Sequence, residues 1–421
     1  MTTVRNWTID VLRIFSLTIV VLMHWVSLRV TMTGRELHAD QAMHGPLMWT
    51  LTWLLQIMPL YFLCGGFANT VVADRYRREQ RSYGAYLGLR ARRLTTPVIA
   101  LIVVVVPAIA ILRAVSPSVA RAAGDAVSRP VWFLAVYLVA VAFTPLALRA
   151  HERSPWLVPV VLLACSVTVD MLRFAAHDSR FVDANLIFVW LFCHQLGILY
   201  ARGTLRTLGA PALILLALAA IGLIVVMVIP GPYFPTVLGM ADAPVSNLSP
   251  PTSVLSVLGV AHFALLTLFE KRRPAWEPTG RLRGVVQGVN PLLMLIYLWH
   301  LPVLTALTGV ALVKPSIFLP GDPATWWLTR IPWFAVGIVV LVGVVRLATQ
   351  WELFCARYAE RTNVLAVGVA TALSATGIYE MWRHALTLDT ASVLGALGVL
   401  AAGVLLTAHR VPAADTLSRT G

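Results

Sequence analysis

The chain has 421 residues, of which 58% are hydrophobic and 12% charged, with a mean hydropathy of +0.79 and a formal net charge of +14. That composition excludes a soluble globular protein. The positive charge is scattered over short connections between apolar runs, so it gives no reason to expect a nucleic-acid partner.

Twelve apolar spans follow one another at 8–30, 47–73, 96–113, 131–149, 155–172, 184–201, 210–229, 252–269, 287–313, 327–348, 362–381 and 391–408. Each is long enough to cross the hydrocarbon of a bilayer as a helix or nearly so. The reading is an all-α polytopic bundle of ten to twelve membrane helices. The second and ninth spans are overlong. Pro59 in one, and Pro291 and Pro302 in the other, predict breaks. The first span is too long for a signal-peptide core and no small-residue cleavage site follows it. With the N-terminus inside, most of the 33 Lys and Arg fall in cytoplasmic connections and tails, and Arg13 is the one placed within the bilayer. The positive-inside rule then puts both termini in the cytoplasm. No cysteine lies in an outer loop, so no disulfide is expected, and no spacing suggests a metal site. The outer stretch Pro230 to Pro251 reads equally as a lid or a plain connector.

Within the first span, Ile9-Asp10-Val11-Leu12-Arg13 leads through apolar residues to His24-Trp25. Eleven residues at about 100° each return Arg13 and His24 to one helix face, about 16 Å apart along the axis. An arginine at such a depth costs roughly 2.5–3.5 kcal/mol on insertion scales, so it needs a partner or a job. Further along stand Met58-Pro59-Leu60-Tyr61-Phe62-Leu63-Cys64-Gly65-Gly66-Phe67, then Arg90-Ala91-Arg92-Arg93-Leu94-Thr95-Thr96-Pro97. Pro130-Val131-Trp132-Phe133-Leu134 opens a later span, and Tyr297-Leu298-Trp299-His300-Leu301-Pro302 lies in the ninth.

In this order the segments resemble membrane acyltransferase family 3. That family carries an "lDxlRxxxxxxxxxxH" first helix, a "vpxFFxlSGf" segment, a basic "RRxxxP", a "WFL" and a "YxxHxP". Asp10, Arg13 and His24 match the first; Cys64 stands where a serine is usual in the second. The resemblance covers residues 5–310 and the tenth span. It implies a domain over 1–350, with 351–421 as two added helices and a short cytoplasmic tail packed on the same bundle. It also implies an inner-membrane enzyme that moves an acyl group, taken as acetyl, from cytoplasmic acyl-coenzyme A to a hydroxyl of an extracytoplasmic glycan, glycolipid or other envelope acceptor. A secondary transporter with buried Arg and His is the rival, weakened by the lack of a repeated early pattern in the second half.

Each matched residue also has a chemical reading. Asp10 and Arg13, three apart, can pair on one face, while the guanidinium fork of Arg13 suits the acyl donor. His24 can take a proton from a hydroxyl and return it to a thiolate, or carry the acyl group transiently. His300 could orient His24, contact the acyl group or pack. Arg90, Arg92 and Arg93 either clamp the phosphates of coenzyme A from an inner loop or serve topology alone. Cys64, among apolar residues, is expected to behave as a small hydrophobe. Gly65 and Gly66 allow helices to approach closely. Trp132 and Phe133 read as an interfacial anchor or packing pair, and His194 and His262 as structural. The catalytic set is therefore Asp10, Arg13, His24 and His300, with Arg13, Arg90, Arg92 and Arg93 for the donor and no metal.

Overall fold

The computed structural model describes residues 5–33, 36–274 and 276–410. Helix α1 (Trp7–Ser27) leads into a two-stranded ribbon, β1 (Leu28–Thr33) and β2 (Glu36–Gln41). Then come α2 (Pro46–Leu54), α3 (Met58–Arg78), α4 (Tyr83–Val115), α5 (Pro117–Ser128), α6 (Trp132–Arg153), α7 (Leu157–Phe174), α8 (Asn185–Ala201), α9 (Ala210–Val228) and α10 (Val254–Arg272). The chain continues through α11 (Gly280–Val289), α12 (Leu293–Ala311), α13 (Pro315–Phe318), α14 (Pro323–Cys355), β3 (Tyr358–Glu360), α15 (Val364–Arg383), α16 (Thr390–Leu406) and β4 (Thr407–Arg410). Among the described residues, 11 helical stretches are long and apolar enough to cross a membrane; α16, the twelfth expected span, is shorter. The protein is an all-α, multi-pass membrane protein.

The overlong second span is broken, at residues 55–57 between α2 and α3. Pro59 sits in the first turn of α3, where a missing N–H costs nothing. The ninth span breaks at a 3-10 turn around Pro291. Pro302 does not break it, for α12 runs through that residue to Ala311. A proline inside a membrane helix is tolerated where surrounding groups satisfy the freed carbonyl. The first span stops at Ser27, where the β-branched run Val30-Thr31 takes up the ribbon. The third begins thirteen residues before its apolar core. Ser82 caps α4 by accepting from the Ala85 N–H at 3.2 Å. Arg90, Arg92 and Arg93 therefore lie on a helix and not in a loop.

By its contacts the chain divides into two compact units. The first holds residues up to Met23, Gln41–Arg75 and Phe143–Asn290. There α7 packs on α8, and α8 and α9 pack on α10. Helices α3 and α8 meet backbone to backbone. A Cβ on Gly66 would lie 1.9 Å from the His194 carbonyl oxygen, and one on Gly197 2.0 Å from that of Leu63. The Pro230–Pro251 stretch is pinned in this unit. Asn247 donates to the carbonyls of Phe234 and Thr236 at 2.7 and 2.9 Å. Buried Asp170 accepts from the Ser253 N–H, the Tyr233 hydroxyl and the Asn185 amide at 2.7–3.0 Å. The Asp242 carboxylate accepts from Trp49 Nε1 and the Gly45 N–H, which hold it below the ordinary carboxylate range.

The second unit holds His24–Asp40, Tyr76–Ala142 and the chain from Pro291 onward. Helix α4 is its hub, contacted by α5, α12, α14, α15 and α16. Helices α15 and α16 form a tight hairpin in which Gly377 and Gly395 face each other. Gly84 and Gly88 let α4 lie against the carbonyls of Thr362 and Arg361, and the Thr95 and Ser374 hydroxyls bond at 2.9 Å.

Because the α3–α8 crossing leaves no room for a side chain, Gly66→Ala is expected to cost about 1–3 kcal/mol of stability, since only backbone atoms could yield. Thermal unfolding of the purified protein in detergent checks this. A midpoint equal to that of the wild type would contradict the crossing.

Candidate active site

The best-organised polar group in the second unit joins α1 to α12. Helix α12 is apolar around its length, and His300 within it is fully buried. Its ring is held from behind. Nδ1 of His300 lies 2.5 Å from the carbonyl oxygen of Tyr297, one turn earlier. A carbonyl can only accept, so Nδ1 carries the proton. In the neutral ring Nε2 is then an acceptor. It lies 2.8 Å from Nδ1 of His24, which must supply the second proton. The two rings stack with centroids 5.1 Å apart and planes 8° from parallel. This order of protons leaves Nε2 of His24 with its lone pair available. Among the described residues that nitrogen has no hydrogen-bonding partner, and His24 is only half-buried. The inner histidine is enclosed and the outer one presents a base.

Neighbouring residues fix this pair. Trp25 is buried and donates its Nε1 to the His300 carbonyl at 3.2 Å. Tyr297 donates its hydroxyl to the Pro130 carbonyl at 2.6 Å. Phe133 packs edge-on against Tyr297 with centroids 5.3 Å apart. The Pro130–Phe133 motif thus acts as a buttress behind Tyr297, and Phe133 takes the packing role. Neither the Trp25 contact nor the Tyr297 carbonyl follows from the motifs alone. The adjacency of Trp25 to His24 and the three-residue step from Tyr297 to His300 were the only sequence signals for them.

The remaining expected residues lie elsewhere. In the first unit, Asp10 forms an ion pair with Arg5 at 2.5 Å, a partner that its spacing to Arg13 did not suggest. Arg13 is half-buried on α1. Asn6 caps that helix by accepting from the Ile9 N–H at 3.1 Å and donates to Glu270 at 3.0 Å. In the second unit the three arginines of α4 part company. Arg92 is buried and donates to the carbonyls of Tyr358, at 2.6 Å, and Cys355. It closes the C-terminal end of α14, where a cation meets unpaired carbonyls and the negative end of the helix dipole. Arg90 is half-buried, and Arg93 is exposed within electrostatic reach of Glu352. Cys64 is fully buried in the first unit. Its neighbour in sequence, Phe62, stacks on Trp190 at 5.0 Å. His194 bonds to Asn69 at 3.0 Å inside the α3–α8 contact.

A family model described as an acyltransferase domain, that of acyltransferase family 3, matches residues 6–349. No curated protein and no solved structure matches the chain. The matched stretch contains both histidines, Arg13 and the arginines of α4; α15 and α16 lie beyond it.

If His300 sets the tautomer of His24, acceptor character at position 300 should matter more than ring shape. His300→Leu should lower the rate of acyl transfer about a hundredfold or more, in line with losses seen when a base is left in the wrong tautomer. His300→Gln, whose oxygen can accept from His24, should recover a measurable part of that loss. Equal activity of the two variants would contradict the orienting role.

Proposed function

The chain belongs to membrane acyltransferase family 3, and we propose that it transfers an acetyl group from acetyl-coenzyme A at the cytoplasmic face to a hydroxyl of an extracytoplasmic glycan or glycolipid of the cell envelope. The enzyme would work in the inner (plasma) membrane, with both termini in the cytoplasm. The observation that carries this reading is the bonded His24–His300 pair with one imidazole nitrogen open. The family match favours an enzyme over a transporter.

In this reading His24 Nε2 takes the proton of the acceptor hydroxyl as its oxygen attacks the thioester carbonyl. The positive charge that develops on the imidazole is shared with His300 through the bond at Nδ1. The carbon–sulfur bond then breaks, the ester remains on the acceptor, and the proton passes to the departing thiolate. Arg13 would engage the donor, about three turns inward along α1. The spacing of about 16 Å along that helix suits an extended pantetheine arm that brings the thioester from the Arg13 level to His24. Arg90 and Arg93 remain for the donor phosphates. Arg92, committed to the end of α14, would contribute through the shape of that end.

His24→Ala should reduce acyl transfer about a hundredfold to ten-thousandfold while leaving the inserted, folded protein intact. A variant retaining more than half of the normal turnover would remove His24 from the mechanism. Arg13→Lys should weaken coenzyme A binding in calorimetry, because a point charge does not replace a forked donor. An unaltered affinity would make Arg13 structural. In sealed vesicles of known orientation, acetyl-coenzyme A should be consumed only on the face bearing the 79–82 connection, and acetylated acceptor should accumulate on the other. Donor and product found together on one face would contradict two-sided transfer.

A further inference from the structure

Another arginine is buried within a membrane helix. Arg330 belongs to the α14 stretch, at the end expected to face outward, and is only 7% exposed. Among the described residues its hydrogen-bond partners are both neutral: the Phe318 carbonyl and the Thr329 hydroxyl, the latter at 3.3 Å. Its Nε has no partner. The guanidinium lies over the rings of Trp326 and Trp333, 4.9 and 6.0 Å from their centroids. Trp326 is fully buried and its indole N–H is also without a partner. Indole faces offset part of the cost of enclosing a cation. They do not replace a counter-charge, and an enclosed, uncompensated charge is strongly destabilising.

A second guanidinium converges on the same turn. Arg29 of β1 donates to the Gly321 carbonyl, three residues from the Phe318 carbonyl that Arg330 holds. The Nε of Arg29 is likewise buried without a partner. The nearest carboxylate in sequence, Asp322, is exposed and is turned to the Thr325 N–H at 2.8 Å as the cap of α14. Two cations and three unused donors thus lie around residues 318–330; among the described residues the acid beside them is Asp322, which caps α14 and is within electrostatic reach of Arg29 but makes no ion pair with Arg330.

This corner is in register with the histidine pair. Gly337 follows Arg330 by seven residues, so both lie on one face of α14, about 10 Å apart along its axis. The Trp25 indole lies against Gly337, so close that a Cβ there would be 2.8 Å from the ring. Trp25 in turn follows His24 and bonds to His300. Leu328 and Ile331, close to Arg330 in sequence, are exposed on a membrane helix and face lipid, while Arg330 points to another side of α14, toward the protein.

We propose that Arg330 and Arg29 receive the phosphate of a lipid headgroup, so that the acceptor is an anionic phospholipid or phosphoglycolipid and not a neutral sugar. The assignment rests on the reading of His24 as the base that faces the acceptor hydroxyl. A forked guanidinium matches two phosphate oxygens, and a lipid headgroup is the phosphate source found at the outer end of a membrane helix. The phosphate would sit about two turns of α14 from the histidines, which leaves the headgroup hydroxyl to reach His24.

The test uses the full-length protein in detergent, first without donor. Binding of dioctanoyl phosphatidylglycerol and of dioctanoylglycerol, which lacks the phosphate, is measured by native mass spectrometry for the wild type, Arg330→Gln, Arg29→Gln and His24→Ala. The wild type and His24→Ala should prefer the phosphate-bearing lipid by about tenfold or more, and each arginine variant should lose most of that preference. Should Arg330→Gln fail to fold, the half-buried Arg29 carries the test. Equal binding of the two lipids, or a preference that survives both arginine changes, overturns the site. Radiolabelled acetyl-coenzyme A is then added. Label on the phosphatidylglycerol headgroup, with an acceptor KM raised more than kcat is lowered in Arg29→Gln, supports the acceptor assignment. Thioester hydrolysis by the wild type without labelled lipid overturns that assignment while sparing the acyltransferase reading. Absence of hydrolysis as well counts against the acyltransferase reading, and the phosphate site is then decided by the binding measurements alone.

Discussion

The short chain of hydrogen bonds from the Tyr297 carbonyl through His300 to His24 organises the second unit. Its first link can be made in only one sense, because a carbonyl has no proton to give. That fact propagates through two rings and ends on an imidazole nitrogen with an open lone pair. Much of the surrounding structure reads as support for this order. Tyr297 is tied to Pro130 and wedged by Phe133, and the His300 carbonyl is tied to Trp25. Trp25 needs the bare backbone of Gly337 to fit. In the proposed mechanism the neutral inner histidine is the acceptor that orients the outer one and would share the charge that the outer one gains.

The membrane setting gives such links their weight. In hydrocarbon an unmet polar group has no water to turn to. Arg92 is spent on the end of α14, Asp170 on three donors around Ser253, and Asn247 on the backbone of its own loop. Other buried side chains, Gln195 and Trp299 among them, also keep a donor without a partner; those of Arg330, Trp326 and Arg29 differ in lying around one turn and in carrying two cations. The hairpin of α15 and α16 lies outside the matched domain yet packs on α4, the helix that carries the arginine motif. The added helices therefore belong to the same packed unit as His24 and His300.

Hydropathy made the membrane helices legible, and proline placement made the break before α3 legible. It could not give helix starts. The first turns of α4 are polar and arginine-rich, so an apolar window places them in a loop; the cap at Ser82 carried the correct signal. The ordered motifs named the family and put Arg13, His24 and His300 on the page. They did not bring His24 within 2.8 Å of a residue 276 positions away, which only the folded chain does. They also could not tell that Arg92 spends its donors on carbonyls more than 260 residues distant, or that Asp10 pairs with Arg5. In sequence Arg330 is one more outer-end arginine; only the fold shows that it makes no ion pair among the described residues.

The central claim is the order of protons along the histidine pair. It is tested most directly by nitrogen-15 NMR of the protein labelled at histidine, with the His24 signals assigned by comparison with His24→Ala. The account predicts that, near neutral pH and without substrates, His24 is neutral, protonated at Nδ1 and bare at Nε2, with His300 in the same tautomer. A His24 protonated at Nε2 and bare at Nδ1 would contradict it, because the nitrogen that the proposed mechanism uses as the base would then be a donor.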